Sequence, residues 1–472
     1  MNRNEYLDLC LSLVIWGVAC QEFRPDELPE LEMNNPEPGI VPTATPQQPL
    51  SSEPEPIPMP DFQPATEPQL MYDYTGVPDY CLAQVQRQVR ALHQVSATGT
   101  ADMVFITDTH YQHNSLVSPS ILSCLVRNGL TQQVVWGGDA ITAYGDIPSE
   151  WACHQRDFLD AVAPYAHYYM VRGNHEFTAK DEQTGVGQTY TQQQTASLLS
   201  EHTEPDVVRP ADDPEACYYY FDNPEQRIRY CVFDTTDSIV SPSLPWCTLT
   251  HTSQRQLDWM NHHALHGVPA GYQLVVITHI GVIEQTFSQP GAFEPLHQLL
   301  LKAEAPVLMV ISGHMHQDFQ TYDQDILHVL TGPDALYQDL ARSPFMHDVK
   351  RQPNHLSAPL LDLVSISADR RTVYLLRIGA GYSRAFHLDA VHLGKSGLQS
   401  LPELTWLNPA EVVSWTAYDA TGYRMVDGTW DPPCTMLQVT DDQRLLPLRA
   451  GSAVLMATDG TGRKEFFNII ID

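Results

Sequence analysis

Apolar residues along this chain gather into short unbroken runs: Met103-Val-Phe-Ile106, Val134-Val-Trp136, Leu274-Val-Val-Ile277 and Val307-Leu-Met-Val-Ile311. Runs of this length, rich in β-branched side chains, predict strands covered on both faces. A fifth run, His167-Tyr-Tyr-Met-Val171, mixes aromatic and aliphatic residues and is read the same way. Helical spacing appears between the strands. Val77–Gln94 places Leu82, Val85, Val89 and Leu92 on one face, with Pro78 in its first turn. Ser118–Asn128 and Glu150–Val162 are the next helical stretches. This alternation predicts a layered α/β sheet. Cys217–Asp222 and Ile228–Asp234 flank Asn-Pro-Glu-Gln and predict a hairpin, and Ser253-x-x-Gln256 reads as a capping box opening a helix that Gly267 closes.

The polar residues are as informative as the apolar ones. Five clusters stand just past the predicted strand ends: Asp108-Thr-His110, Gly138-Asp139, Gly173-Asn174-His175-Glu176, His279 and Gly313-His314-Met-His316. Open α/β sheets place their sites outside the carboxyl ends of their strands, so these side chains are expected along one edge. Two aspartates, an asparagine and several imidazoles there amount to a metal site. Calcium and magnesium prefer shells of oxygen alone, so the mixed oxygen and nitrogen set points to manganese, iron, zinc or cobalt. Asp108, His110, Asp139, Asn174, His279, His314 and His316 are too many for one ion with an open position, and two divalent ions fit the count.

The order D-x-H, G-D, G-N-H-D/E, H, G-H-x-H resembles the calcineurin-like metallophosphoesterases, over roughly Ala101–Leu376. That resemblance implies an α/β/β/α sandwich and a pair of transition-metal ions. It assigns Asp139 as the bridge, Asp108, His110 and His316 to one ion, and Asn174, His279 and His314 to the other. It also implies that His175 is no ligand but acts on the leaving oxygen or the phosphate, with Glu176 orienting His175 or its loop. The second block lacks the further aspartate or arginine that many members carry. Substrate contacts are therefore expected among neighbours in sequence: His113, Asn114, Tyr144 and Arg172.

Composition narrows the function. A net charge of −31 argues against nucleic-acid binding, which needs a Lys/Arg surface. An anionic substrate then depends on local positive charge, which bound cations supply. Residues 1–20 hold Arg3, an apolar stretch from Leu9 to Ala19 and then Cys20, resembling a bacterial lipoprotein signal that would lipid-anchor an exported protein at the cell surface; the alternatives are an ordinary cleavable signal, which would leave a secreted chain, or a disordered start. Residues 21–70 contain thirteen prolines and ten acidic residues and are expected to be a disordered spacer. Seven further cysteines include no C-x-x-C pair, and an exported chain leaves room for one or two disulfides among them. His262, His263 and His266 are expected on a solvated helix face. The sequence sets no oligomeric state.

The catalytic body is expected at 71–388. From 402 to 472, short strands separated by Asp-Gly turns predict a small all-β unit. Its segment Arg449-Ala-Gly-Ser-Ala-Val-Leu-Met-Ala-Thr-Asp-Gly-Thr-Gly462 resembles a bacterial immunoglobulin-like group 2 domain. The alternative is an extension of the catalytic sheet. The expected whole is an exported phosphoesterase hydrolysing phosphate mono- or diesters, from small molecules or surfaces, with water activated between two ions. The competing class is a surface-binding or adhesion protein on a degenerate phosphoesterase domain; such a protein is expected to lose ligands, and none is lost here.

Overall fold

The computed structural model describes residues 72–472 except 112–115, 143–146, 177, 181–186, 190–191, 202–203, 205, 240–249, 287–292, 337–350 and 421–433. The chain divides into two units, Met1–Leu70 and Met71–Asp472. The expected signal and spacer, at 1–20 and 21–70, lie outside the described residues, and so do His113, Asn114 and Tyr144.

The second unit begins with the helix Asp79–Val95, which buries Cys81, Val85, Gln88, Val89 and Leu92 along one face. Burying aliphatic side chains in this way contributes about 1.5–3 kcal/mol each. Strands β1 (Met103–Ile106), β2 (Gln133–Trp136) and β3 (His167–Met170) follow, with the helices Ser118–Arg127 and Ile147–His154 between them. The second helix continues through a π turn, Gln155–Leu159, to Val162. Next come the short pair β4 (Thr178–Lys180) and β5 (Gly187–Thr189), the hairpin β6 (Tyr219–Asn223) and β7 (Ile228–Val232), and the pair β8 (Ser238–Ile239) and β9 (Thr250–His251). Strands β10 (Gln273–Ile277), β11 (Val307–Ser312), β12 (Phe319–Asp323) and β13 (Ile326–Leu330) build a second sheet. The chain then returns to the first sheet with β14 (Leu360–Ile366), β15 (Thr372–Gly379) and β16 (Arg384–His387). Its last strands are β17 (Val391–Leu393), β18 (Val412–Asp419), β19 (Leu437–Val439), β20 (Leu445–Pro447), β21 (Gly451–Asp459) and β22 (Lys464–Ile471).

Two sheets face each other. One runs β18-β21-β22-β16-β15-β14-β1-β2-β3, with β17 also beside β22, and the other runs β12-β13-β11-β10-β7-β6. Strand pleating divides the apolar runs between layers. Val104 and Ile106 join the helix-covered outer core, while Met103 and Phe105 join the core between the sheets, with Val275, Ile277, Met309 and Ile311 from the other side. Leu274, Val276, Val307 and Val310 face a third core under the helices Gln254–Met260 and Glu294–Leu300. The order is α/β/β/α. The strands that lead to the polar clusters are parallel within each sheet, β1-β2-β3 in one and β7-β10-β11 in the other. Parallel strands end on the same side, which brings the clusters to one edge.

The expectation of a separate immunoglobulin-like unit at 402–472, with a catalytic body ending at 388, is corrected here. β22 pairs in parallel with β16, and β21 and β18 extend the same ten-stranded sheet. Both faces of β21 are covered: Val454 and Met456 join the core between the sheets, and Ala453 and Leu455 face an outer core with Leu437, Leu445 and Phe467. The tail also bonds the second sheet, where the Tyr418 hydroxyl donates to the Gln320 carbonyl at 2.9 Å and the Thr321 hydroxyl to the Ala420 carbonyl at 2.7 Å. Strand-turn repetition is common to a sandwich and to a sheet extension, and the docking edge on β16 decides between them.

Two smaller expectations are refined. Ser253 Oγ accepts the Gln256 N–H at 3.2 Å as a cap should, but the Gln256 side chain donates to the Asp234 carbonyl at 2.9 Å and to Asp237 at 2.7 Å. Cys81, Cys124, Cys153, Cys217, Cys231 and Cys434 are free thiols, and Cys247 lies outside the described residues. His262, His263 and His266 are exposed. No helix among the described residues is long and apolar enough to cross a membrane.

Candidate metal centre

The five clusters meet at the edge where β1, β2, β3, β10 and β11 end. Their backbone is unusual: among the described residues eleven non-glycine positions have positive φ, and five are Asp108, His110, Asp139, His314 and His316. Such conformations cost about 1–3 kcal/mol each and persist only where the surroundings over-determine them. The surroundings are polar and tight. The Asp108 carboxylate accepts the Thr107 hydroxyl at 2.7 Å and the His314 N–H at 2.9 Å, and the Asp139 carboxylate accepts the His175 N–H at 2.8 Å. Gly138 has φ +98°, and a Cβ there would lie 2.5 Å from the His279 ring. A Cβ on Gly173 would lie 2.2 Å from Asp139 Oδ1. Only glycine admits these approaches.

Six of the seven expected ligands fall into two adjoining groups. One ligand atom each from Asp108, His110, Asp139 and His316 lie within 4.8 Å of one another, as do those from Asp139, His279 and His314, so Asp139 is common to both. The seventh, Asn174, places Oδ1 3.2 Å from His279 Nε2. His316 Nε2 is 3.1 Å from Asp108 Oδ1 and 3.2 Å from His110 Nε2. His279 Nδ1 faces the Gly137 carbonyl at 2.8 Å, which can only accept, so Nδ1 is the donor. His279 Nε2 then meets Asp139 Oδ2 at 3.1 Å and Asn174 Oδ1 at 3.2 Å. Three atoms with lone pairs converge there, and a positive charge must lie among them, either a proton or a metal cation.

The electrostatics fit a cation. Burial opposes charge on His279, but Asp139, Asp108 and Glu176 outweigh it and push the group up to about 10. Burial and neighbouring imidazoles act together on His110, which is held well below its ordinary value, and on His314, lowered to about 3, so both are neutral donors of lone pairs near pH 7. Burial raises Asp108, yet His316 and His279 bring it down to about 2; Asp139 is likewise held well below its ordinary value by His279 and His175. Ionised carboxylates with neutral imidazoles at His110 and His314 suit divalent transition metals, and a cation bound there would take the place of the proton on His279.

His175 sits beside both groups. Its Nδ1 donates to the Thr142 carbonyl at 2.8 Å, and its Nε2 lies 3.9 Å from Asp139 Oδ2. Glu176 does not orient His175 through its side chain; its carboxylate accepts the backbone N–H groups of Asp139 at 3.0 Å, Ala140 at 2.7 Å and Gly173, tying the second block to the third. Burial and then the nearby Asp139 raise Glu176 to about 7. Arg172 is a correction. Expected to contact substrate, it is buried, ion-paired with Asp234 and donating to the Thr236 hydroxyl at 3.1 Å. A guanidinium this deep needs a carboxylate partner, and Asp234 at the end of β7 supplies one. Sequence reasoning passed over Thr107 and Thr142, whose only signal was their place beside the clusters.

Residues 102–318 match the model of the calcineurin-like phosphoesterase family. The matched segment is that of a hydrolase acting on phosphate esters, and the described residues include two adjoining groups able to hold metal ions. No curated protein matches the chain. Among solved structures it is similar to a dimetal phosphatase from Danio rerio at 14% identity, over 60% of this chain and 97% of that one, with a TM-score of 0.45. It is also similar to the purple acid phosphatase PPD1 from yellow lupin seeds at 16% identity, over 60% of this chain and 51% of that one, with a TM-score of 0.38. Likenesses this distant say nothing of substrate.

Proposed function

We propose that this chain is an exported, dimetal-dependent phosphoesterase that hydrolyses phosphate mono- or diesters. The observation that carries the reading is the convergence of six donor residues into two groups sharing Asp139, with Asn174 beside His279. Asp108, His110, Asp139 and His316 would hold one ion; Asp139, Asn174, His279 and His314 would hold the other. The donor set suits manganese, iron, zinc or cobalt. When bound, two such ions supply a nucleophile at neutral pH and offset charge on the phosphoryl group during in-line displacement.

The chain's own groups do the rest. Asp139 keeps the two positions adjacent. The Thr142 carbonyl holds Nδ1–H of His175, so Nε2 is the atom that faces the cluster; in its imidazolium form the ring would pass the Nε2 proton to the leaving oxygen and be left as the neutral Nδ1–H tautomer. Glu176 holds the Asp139 and Gly173 loops at a constant separation. Export rests on the apolar segment ending at Cys20 and the proline-rich stretch after it, which together read as a lipid anchor and spacer. Full-length protein should fractionate with membranes, and Cys20→Ser should release it.

The deciding experiment is elemental analysis of the purified full-length chain with a panel of phosphomonoesters, phosphodiesters and nucleotides. The expected result is two equivalents of a transition metal, and turnover that chelation abolishes and the same metal restores. A chain that takes up no metal, or is metal-loaded yet inert on every ester, would overturn the reading.

A further inference from the structure

We infer that Arg377 is a positioning residue for His316, acting through Asp318. This rests on the metal-binding role proposed for His316. The turn between β11 and β12 carries two residues in the left-handed region, His314 at φ +68° and His316 at φ +55°. Nothing in a Gly-His-Met-His sequence prefers that conformation strongly, so the turn depends on what grips its two ends. Upstream, the Gly313 N–H donates to the His279 carbonyl at 3.0 Å, and the His314 N–H to Asp108 at 2.9 Å. Downstream, two residues past His316, the Asp318 carboxylate accepts both terminal nitrogens of Arg377, at 2.9 and 3.0 Å, and the Gly332 N–H at 2.8 Å.

Arg377 belongs to the other sheet. Its guanidinium is fully buried and also binds Asp362 through two contacts at 2.8 Å, the Thr331 hydroxyl at 2.9 Å and the Ala380 carbonyl at 2.8 Å. Asp362 stands opposite Phe105 in the pairing of β14 with β1, and β1 leads directly into Asp108. One rigid fork therefore refers both members of a ligand pair to the same point: Asp108 through β14 and β1, His316 through Asp318. Those two ligands lie 3.1 Å apart across the sheets. A planar guanidinium can grip two carboxylates at once in fixed directions, and an ammonium cannot. Asn174 and His279 reach the cluster from β3 and β10, off this path, and His314, though on the same turn, is held at its upstream end by the Asp108 carboxylate. Loosening the fork should thus weaken the ion position of His316 far more than the other.

The test uses full-length Arg377→Lys, which keeps the charge and loses the fork, and Asp318→Asn. Asp318→Asn retains the Arg377–Asp362 pair and an acceptor for Gly332, and it decides the matter if the lysine variant does not fold. Mn²⁺ is titrated calorimetrically into metal-free protein, and the half-loaded and fully loaded states are compared by electron paramagnetic resonance. The wild type should bind two equivalents. Each variant should keep one near its original affinity and lose tenfold or more on the other, with the signal of an isolated Mn²⁺ persisting where the wild type shows a coupled pair. Wild-type affinity for both ions in both variants would overturn the inference. So would equal weakening of both ions in step with a lowered melting temperature, which is the mark of a merely structural role. A wild type that binds no Mn²⁺ or other transition metal would overturn the proposed function first, and this inference with it.

Discussion

Two buried layers of charge lie near each other in this molecule and are built on opposite principles. Asp318, Asp362, Arg377 and Arg384 form a neutral quartet: the carboxylates accept from guanidinium N–H groups, and Thr331, Gly332 and the Ala380 carbonyl take up remaining capacity. At the strand ends, Asp108, Asp139, Asn174 and the imidazoles face one another with lone pairs converging, on backbone held at positive φ. The quartet balances its own charge from within, with Arg384 Nε left without a hydrogen-bond partner among the described residues; the cluster demands a cation. Buried charge that is balanced by its own neighbours is scaffold, and buried charge that is not is a binding site.

The harshest way to break the contrast is to strip the scaffold. A chain ending near Leu388 loses β22 from beside β16, where Arg384 of the quartet lies opposite Lys464, and it loses Phe466, Val454 and Met456 from the central core. It should aggregate and show no cooperative melt. A soluble, metal-loaded truncation would restore the separate-domain reading. Next in effect, Asp139→Asn should keep the fold and reduce turnover to background with both ions lost, since one charge serves both positions. Elemental analysis finding two full equivalents would sink the bridging assignment.

His175→Ala sharpens the contrast by sparing the ligands. Both metals should stay while turnover falls roughly 10²–10⁴-fold, the usual worth of a positioned acid. The loss should shrink for substrates with good leaving groups such as nitrophenyl phosphate; equal losses across leaving groups would contradict proton transfer by His175. The smallest effect is at Glu465, another buried charge completed from within. Its carboxylate accepts His387 at 2.6 Å and the N–H groups of Thr405 and Leu407, both at 2.9 Å. Burial raises its pKa, but these bonds outweigh burial and hold the group below its ordinary 4.5. A lowered carboxylate contributes stability that is present above the unfolded value and lost as pH falls through the folded one. Glu465→Gln should cost about 1.5–3 kcal/mol at pH 7, as charged hydrogen bonds do. The gap between variant and wild-type melting temperatures should narrow as pH is lowered past 4.5. A gap constant with pH would show that the charge does not matter.

The chain's own pattern determined a great deal. Strand runs at 103–106, 134–136 and 307–311, the helix before them and the hairpin after the third block are local signals, set by side-chain periodicity and turn chemistry, and each stands close to where it was read. The candidate ligands were legible because each cluster lies within a few residues of a strand end, and parallel strands deliver such ends to one edge. What tertiary structure alone decided was every relation between distant segments that leaves no local mark. Arg172 and Arg377 look alike in sequence, each a charge closing an apolar run; one pairs with Asp234 and the other with Asp318 and Asp362, and only packing selects those partners. Glu176 serves the second block rather than its own neighbour for the same reason. The tail's strands could have closed on themselves, but a strand encodes its faces through alternation and leaves the choice of edge to whatever sheet it meets, and here that edge was β16.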